Sequence, residues 1–333
     1  MSPPATSELP MSLSDVQEAA RRIAPHVRRT PSLRAEFAGV PSLAGLAVTL
    51  KLEHLQVGGS FKARGAANRI AAASPDEVAR GVVTASGGNH GIGVAWAASR
   101  FGARATVYLP ETAPVSSERL LQSMGADTIR RGAAWDDAWA LAAAAARASG
   151  ALLVHPFEDP RVIAGQGTVA LELLADTPDL DVLIVAVGGG GLISGVALAA
   201  KALRPGIRVI GVEPTGATSM KDSLAAGHVV ELPSVRTIAG TLAPRAVGPL
   251  TLAFTRAFVD EIVLVEDDQM REAMRALWRE ARQLVEPAGA AALAAAMALG
   301  DRLRDEFRGA GPPRVGVLVC GANLDVSSIL GPL

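Results

Sequence analysis

The sequence predicts an α/β protein whose mostly parallel strands are covered by helices on both faces. Short apolar segments such as "DVLIVAV" and "RVGVLVC" alternate with longer amphipathic segments such as "WDDAWALAAAAARAS". Strands separated by helices pair in parallel, and the crossover helices cover both faces of the sheet. No unit of roughly 20 to 50 residues repeats, which excludes solenoids and propellers. In such sheets, ligands bind beyond the carboxyl ends of the strands.

Each element is predicted from its apolar periodicity and its flanking residues. The first helix, "SDVQEAARRIAPHV", carries a capping-box pattern with Ser14 at the cap and Gln17 three residues later. Another helix is expected from Asp267 to about Leu284, followed by an alanine-rich helix. The predicted strands are "AVTLKLE", "GVVTAS", "ATVYLP", "ADTIRR", "ALLVHP", "DVLIVAV", "RVIGVEP", "EIVLVE" and "RVGVLVC". Helices are predicted between most of these strands, such as "NHGIGVAWAASRF", "SSERLLQSMG", "GTVALELLA" and "LISGVALAAKAL".

Composition excludes several classes of protein. The 32 basic and 33 acidic residues are spread along 333 residues, which leaves no electrostatic footprint for nucleic acid or an anionic membrane. No apolar run is long enough to span a bilayer. The single cysteine, Cys320, cannot form an internal disulfide, which favours a cytoplasmic protein. We expect residues 1–12 to form a disordered tail.

Four consecutive glycines, Gly188 to Gly191, separate the apolar strand "DVLIVAV" from a helix. Glycine lets the backbone turn sharply and present several amides to an anion at a helix N-terminus, so the loop predicts a phosphate cradle. A tight strand-to-helix turn is the simpler alternative. A dinucleotide site is another, with Glu213 as the ribose-binding acid, but Ile193 and Ser194 interrupt the required glycine pattern.

Two further strand ends carry polar residues. "VVTAS" runs into "GGNHG", where Ser86, Asn89 and His90 stand at the start of an apolar helix. Amides there favour a carboxylate or a phosphate, although an ordinary helix cap by Ser86 or Asn89 is the alternative. The last strand ends at Cys320, and a cysteine in that position is more often a small core residue than a ligand.

Lys62 follows the strand "VTLKLE" after a short glycine-containing turn. A lysine near a phosphate site can neutralise the phosphate, or it can act as a Schiff-base nucleophile when apolar neighbours lower its pKa. Phe61 and the surrounding small residues suit the second role. Together with the phosphate cradle, Lys62 predicts pyridoxal 5′-phosphate as the cofactor.

Five motifs carry a resemblance to a known family: "GGSFKARGAAN", "SGGNHG", "VGGGGLISG", "VEPAGAAALAA" and "CGANLD". In this order and spacing, from about residue 13 to residue 328, the chain resembles the fold-type II pyridoxal-phosphate enzymes of the threonine/serine dehydratase and serine racemase group. The resemblance implies two open, twisted, mostly parallel sheets, as in the tryptophan synthase β subunit, and a homodimer. It implies a large cofactor-binding domain from residues 1–75 and 157–333, and a small domain from residues 76–156.

The resemblance also implies roles for individual residues. Lys62 would hold the cofactor aldehyde and move the Cα proton, Phe61 would flank the cofactor ring, and Cys320 would face the pyridine nitrogen. Asn89 would bond the cofactor's 3′-oxygen. The phosphate would be held by the backbone amides of Gly188, Gly189, Gly190, Gly191 and Leu192. The substrate carboxylate would be bound by three residues of the "SGGNHG" loop, Ser86, Asn89 and His90.

Two positions depart from the family pattern. Gly87 stands where serine racemase carries a second serine as the opposing acid/base, which favours elimination over racemisation. Ser219 stands where racemase-like members carry the aspartate of a divalent-cation site, which leaves Glu213 as a weak metal candidate.

We therefore predict a cytoplasmic ammonia-lyase that eliminates water from L-threonine or L-serine. Dehydratases of 3-hydroxyaspartate or phenylserine and serine racemase are alternatives within the family. A nicotinamide-dependent oxidoreductase and a non-catalytic cofactor-binding protein are alternatives from other classes. A small amino acid is the expected partner, and neither nucleic acid nor a membrane is expected.

Overall fold

The computed structural model describes residues 9–309 and 311–324. Helix α1 spans Leu13–Ile23, and Ser12 rather than Ser14 is its N-cap, with the Asp15 carboxylate accepting the amide of Ser12 at 2.8 Å. Met11 is 5% exposed and packs into the core, so residues 9–12 belong to the fold. Residues 1–8 of the predicted tail lie outside the described residues.

The strands, in chain order, are β1 Ser32–Ala35, β2 Ala47–Lys51, β3 Val82–Ala85, β4 Ala105–Leu109, β5 Asp127–Arg130, β6 Leu152–Leu153, β7 Val182–Ala186, β8 Arg208–Pro214, β9 Glu261–Val265 and β10 Arg314–Leu318. They form a six-stranded sheet in the order β1-β2-β10-β7-β8-β9 and a four-stranded sheet in the order β5-β4-β3-β6. The pairing is parallel throughout, except that β1 runs antiparallel to β2. The prediction of two mostly parallel sheets is confirmed.

The remaining helices are α2 Lys62–Ala71, α3 Pro75–Ala79, α4 Asn89–Arg100, α5 Val115–Ser123, α6 Trp135–Ser149, α7 Pro160–Asp176, α8 Gly191–Leu203, α9 Ser219–Ala226, α10 Pro249–Phe258, α11 Asp267–Ala281 and α12 Pro287–Glu306. Short 3₁₀ turns span Pro41–Leu43, Glu53–Leu55, Val57–Gly59 and Gly240–Leu242. Helix α11 ends earlier than predicted because Arg282 adopts a left-handed conformation with φ of 56°.

The apolar strands form the centre of the hydrophobic core. The alanine-rich helix α12 is buried along most of its length and packs with β7 and β10 of the large sheet, because its small side chains permit close approach. Helices α4 and α6 pack in separate apolar clusters with strands of the four-stranded sheet. Among the described residues, no helix is long and apolar enough to cross a membrane.

The strands of the four-stranded sheet all lie between Val82 and Leu153, whereas those of the six-stranded sheet lie before and after this segment. This distribution is the one expected for a small domain from residues 76–156 inserted into a large one. The domain boundaries stay a prediction.

Candidate active site

Lys62 is the first residue of α2, and its amine reaches the loop that follows β6. The Nζ atom donates to the backbone carbonyl of Pro156 at 2.8 Å and lies 5.1 Å from the centre of the Phe61 ring. Burial lowers the pKa of Lys62 from 10.5 to about 8, because the charged ammonium loses its hydration. The sequence prediction of a desolvated amine therefore agrees with the geometry.

Close contacts on two sides position the backbone at Lys62. The amide of Phe61 donates to the carbonyl of Cys320 at 3.2 Å, and Ser60 forms a β-bridge with Gly321. On the other side, a Cβ atom at Gly93 of α4 would lie 3.0 Å from the carbonyl carbon of Lys62, which is tighter than nine in ten real Cβ contacts. The glycine therefore lets α4 approach the start of α2.

A buried network of ion pairs anchors α2 at Arg64, two residues beyond Lys62. The guanidinium of Arg64 donates to the Glu53 carboxylate through two bonds of 2.7 Å and to Glu172 at 2.7 and 2.9 Å. Lys51 at the end of β2 contacts Glu172 at 2.7 Å. Because each buried charge is paired, the network fixes the helix in one position without leaving an isolated ion in the core.

The side chain of Asn89 is held in one orientation by its partners. Asn323 Nδ2 donates to the carbonyl of Gly58 at 2.8 Å and to Asn89 Oδ1 at 2.7 Å. A carbonyl can only accept a hydrogen bond, so the side-chain NH2 group of Asn323 must face Gly58. Asn89 must then present its side-chain oxygen to Asn323. The side-chain NH2 group of Asn89 then donates one hydrogen to Glu286 Oε1 at 2.6 Å, and its second hydrogen is available to a ligand.

Glu286 is a buried carboxyl group at the N-cap of α12. Thr241 is a second donor to Oε1, at 3.4 Å. Burial raises the pKa of Glu286 from 4.5 to about 7, although the hydrogen bonds from Asn89 and Thr241 oppose the shift. The carboxyl group therefore titrates near neutral pH beside the amide that faces the site.

Cys320 is buried at the end of the last strand, and its thiol donates to the carbonyl of Ala288 at 3.2 Å. Burial raises the pKa of the thiol, and the nearby Glu286 carboxylate raises it further. The group is therefore a neutral, weak donor at ordinary pH.

The glycine loop makes the N-terminus of α8. Among the described residues, the amides of Gly188 through Ile193 have no backbone acceptor. Gly190 adopts a φ of 89°, and a Cβ atom at Gly189 would lie 2.1 Å from the ring of Phe157. The loop therefore requires glycine at these two positions for different reasons: a left-handed backbone at Gly190 and a close aromatic neighbour at Gly189.

The "SGGNHG" loop supplies amides at the N-terminus of α4. Ser86 Oγ accepts the amide of Gly88 at 3.1 Å, and the amides of Asn89 and His90 have no backbone acceptor among the described residues. The ring of His90 is buried against the carbonyl of Val154 at 3.1 Å, and burial holds its pKa well below the usual range. His90 therefore offers a ligand its amide rather than its imidazole. A Cβ atom at Gly87 would lie 3.3 Å from Ala113 Cβ and 3.4 Å from Leu109 Cδ2, so it would touch two apolar side chains.

The comparisons with known proteins agree with this geometry. The sequence profile of the family described as "Pyridoxal-phosphate dependent enzyme" matches residues 23–321. The chain belongs to this family.

It is 40% identical over 319 residues to an L-threonine ammonia-lyase of Thermotoga maritima, covering 96% of this chain and 77% of that protein. It is also 40% identical over 315 residues to a serine racemase of Oryza sativa subsp. indica, covering 94% and 91%. The structure of threonine deaminase isoform 2 from Solanum lycopersicum superimposes with a TM-score of 0.90 at 35% identity, covering 98% of this chain and 92% of that one.

The residues present fit pyridoxal phosphate, the cofactor of this family. The amides of Gly188 through Ile193 are donors without backbone acceptors among the described residues, and they suit a phosphate. Lys62 is an amine of lowered pKa that suits an aldehyde, and Asn89 keeps one hydrogen for an oxygen acceptor. The fold-type II resemblance is confirmed, and the individual residue roles stay predictions.

Glu213, the weak metal candidate, is occupied by backbone amides. Its two oxygens accept the amides of Met220 at 2.8 Å and Lys221 at 2.9 Å, at the start of α9. Burial raises its pKa to about 7. The described residues contain no cluster of three or more His, Cys, Asp or Glu side chains that could hold a metal ion.

Several residues of the site were missed in the sequence. Glu286 and Asn323 lie within the quoted motifs "VEPAGAAALAA" and "CGANLD", but nothing local shows that both contact Asn89. Thr241 and Pro156 lie in the loops "GTLAPRAVG" and "HPFEDP", which have no periodic pattern. Only their spatial contacts reveal these residues, because their partners are distant along the chain.

Proposed function

We propose that the chain is an ammonia-lyase that eliminates water from a β-hydroxy-α-amino acid such as L-threonine or L-serine, forming a 2-oxo acid and ammonia. The observation that carries the proposal is the amine of Lys62, which has a lowered pKa and faces the Pro156 carbonyl within a family of pyridoxal-phosphate enzymes. The similarity to an L-threonine ammonia-lyase supports the reaction type.

The lowered pKa suits Lys62 to both of its proposed tasks. With a pKa of about 8, about a tenth of the amine is uncharged at pH 7, compared with well under a thousandth at 10.5. The uncharged amine of Lys62 would hold the cofactor through its aldehyde, and it would accept the substrate's Cα proton. The cofactor, when bound, supplies the electron sink for that proton removal.

The remaining polar groups would orient the cofactor and the substrate. The amides of Asn89 and His90, with Ser86 beside them, would bind the substrate carboxylate, and Gly188 to Gly191 with Leu192 would bind the phosphate. Phe61 would flank the cofactor ring. Cys320 would face the ring nitrogen as a neutral donor, which would leave the cofactor a modest electron sink. That electrostatic setting favours prompt departure of the β-hydroxyl over transamination.

Serine racemase is the second candidate, because a rice serine racemase is as similar in sequence as the ammonia-lyase. Racemisation needs an acid on the face of Cα opposite Lys62. Gly87 has no side chain that could act as this acid, and the two side-chain atoms nearest to its position belong to the apolar residues Ala113 and Leu109. We therefore place elimination first.

We further propose that the protein is a cytoplasmic homodimer, with a small domain at residues 76–156 and the cofactor held by the remainder. The single buried cysteine is compatible with a reducing compartment.

The test is turnover by the purified protein supplied with pyridoxal phosphate. We expect equimolar 2-oxo acid and ammonia from L-threonine or L-serine, and a visible absorbance band from the bound cofactor. In Lys62→Ala the band should be lost and kcat should fall at least about a thousandfold. Lys221→Ala, at an exposed lysine, is the matched control and should retain both. Full activity in Lys62→Ala would refute the mechanism. D-serine formation without 2-oxo acid would favour the racemase.

A further inference from the structure

Two segments beside Lys62 carry a row of aromatic rings. Trp135 and Trp139 stand one turn apart at the start of α6, with their ring centres 5.8 Å apart and nearly parallel. The ring of Trp139 meets His155 edge-on at 4.5 Å, and His155 meets Phe157 edge-on at 4.7 Å. All four residues are half-buried rather than fully buried. We name Trp135, Trp139, His155 and Phe157 the aromatic row.

The aromatic row runs along the proposed site. Pro156, whose carbonyl accepts the amine of Lys62 at 2.8 Å, lies between His155 and Phe157. At the other end, the indole of Trp135 donates to the carbonyl of Ala85 at 2.9 Å, directly before Ser86. The row therefore extends from the acceptor of the Lys62 amine to the loop that would bind the substrate carboxylate.

Two polar groups of these segments, His155 Nδ1 and the Glu158 carboxylate, accept backbone amides. His155 Nδ1 accepts the amides of Phe157 at 3.2 Å and Glu158 at 2.8 Å, and burial lowers its pKa to about 3, so the ring is neutral. The Glu158 carboxylate accepts the amide of Leu250 at 2.6 Å.

Arg245, a cation near the start of α6, has acidic partners. Arg245 is paired with Glu231 at 2.9 Å, donates to a carbonyl at 3.0 Å, and lies 3.8 Å from Asp136 at the start of α6. A carboxylate placed against the aromatic row would lose hydration, whereas an apolar or aromatic group would gain contacts.

We propose that the aromatic row forms the side-chain subsite and selects a β-aryl-β-hydroxy-α-amino acid. This inference rests on the proposed elimination and names its substrate class. The Cα–H and Cβ–OH bonds break as water leaves, and one water molecule is then consumed in releasing ammonia. The product is a 3-aryl-2-oxo acid, with no net oxidation or reduction.

The first test compares kcat/KM for L-threo-phenylserine, L-threonine and L-threo-3-hydroxyaspartate. We expect phenylserine to exceed threonine at least about tenfold, because the ring fills a subsite that a methyl group leaves empty. We expect it to exceed hydroxyaspartate at least about a hundredfold, because of the desolvated carboxylate. A preference for threonine or hydroxyaspartate would overturn the proposal.

The second test uses binding, which does not depend on turnover. L-phenylalanine and L-2-aminobutyrate lack the leaving hydroxyl, and their affinities can be measured by quenching of tryptophan fluorescence in the holoenzyme. Trp139→Ala should weaken the binding of L-phenylalanine about tenfold and change the affinity for L-2-aminobutyrate by less than about threefold. Trp139→Phe should restore most of the affinity for L-phenylalanine. Trp278→Ala is the matched control, because Trp278 is 51% exposed on α11.

The outcomes separate the two proposals. Absence of 2-oxo acid from all three substrates refutes the elimination, and the selective loss of L-phenylalanine in Trp139→Ala would still support the subsite. If threonine is turned over and Trp139→Ala loses affinity equally for both ligands, the subsite is refuted and the elimination is not. If Trp139→Ala does not fold, Trp139→Leu keeps the apolar volume without the ring, and an unchanged ratio of affinities in that variant refutes aromatic selection.

Discussion

Glu286→Gln should change how stability depends on pH, and the effect can be measured without cofactor. The pKa of Glu286 is about 7, compared with 4.5 for the ordinary group, because its carboxyl is buried at 5% exposure. The folded protein therefore holds a proton that the unfolded chain releases above pH 4.5. Stability from this group is fully present below pH 4.5 and is lost as the pH rises to 7.

The expected magnitude follows from the two pKa values. Each factor of ten in the ionisation constant corresponds to about 1.4 kcal/mol, so the full loss between pH 4.5 and pH 7 amounts to about 3 kcal/mol. Glutamine cannot ionise, and its side-chain oxygen can still accept the hydrogen bond from the side-chain NH2 group of Asn89. The free energy of unfolding of the variant, relative to the native chain, should thus rise by about 3 kcal/mol between pH 4.5 and pH 8.

Urea unfolding of the cofactor-free protein at several pH values measures this difference. Taking the variant minus the native chain at each pH cancels the titration of the other groups, such as Glu213. Glu36→Gln, at an exposed position, is the matched control and should give a flat difference. If the Glu286→Gln difference changes by less than about 0.5 kcal/mol over this range, the group is not a buried carboxyl of raised pKa.

Three further predictions concern the glycine loop, the Asn89 orientation and the metal candidate. Gly189→Ala should abolish binding of pyridoxal phosphate, because its methyl group would lie 2.1 Å from the Phe157 ring; equilibrium dialysis measures this, and binding should partly return in the double variant with Phe157→Ala. Asn323→Asp should weaken cofactor affinity at least about tenfold at pH 8, because a carboxylate would face the oxygen of Asn89 that Asn323 now bonds at 2.7 Å; unchanged affinity would contradict the orientation argument. Dialysis against EDTA should leave the thermal midpoint unchanged, because the Glu213 carboxylate already accepts amides at 2.8 and 2.9 Å; a rise of several degrees with Mg²⁺ or Ca²⁺ would contradict this.

Local sequence patterns were sufficient for the architecture and for part of the site. The alternation of apolar strands with amphipathic helices predicted the parallel sheets, and the exceptions were small, such as the cap at Ser12 and the end of α11. These elements are determined by residues within a few positions of one another, because capping and periodicity are short-range effects. Lys62 and the glycine loop also have unusual immediate neighbours, so they could be recognised before the structure was seen.

The contacts that make these residues a site could not be read in the same way. Asn89 contacts Glu286 and Asn323, which are 197 and 234 positions away, and Lys62 contacts a carbonyl 94 positions away. Nothing in the spacing of Trp135, Trp139 and Phe157 reveals that they form one row.

The sequence by itself therefore determined the α/β architecture, the lysine and the glycine loop. The tertiary structure alone decided the acceptor of the Lys62 amine, the raised pKa of Glu286 and the arrangement of the aromatic row. The physical reason is that desolvation and hydrogen-bond orientation depend on atoms from distant segments, whereas strand, helix and turn preferences are set by neighbours along the chain.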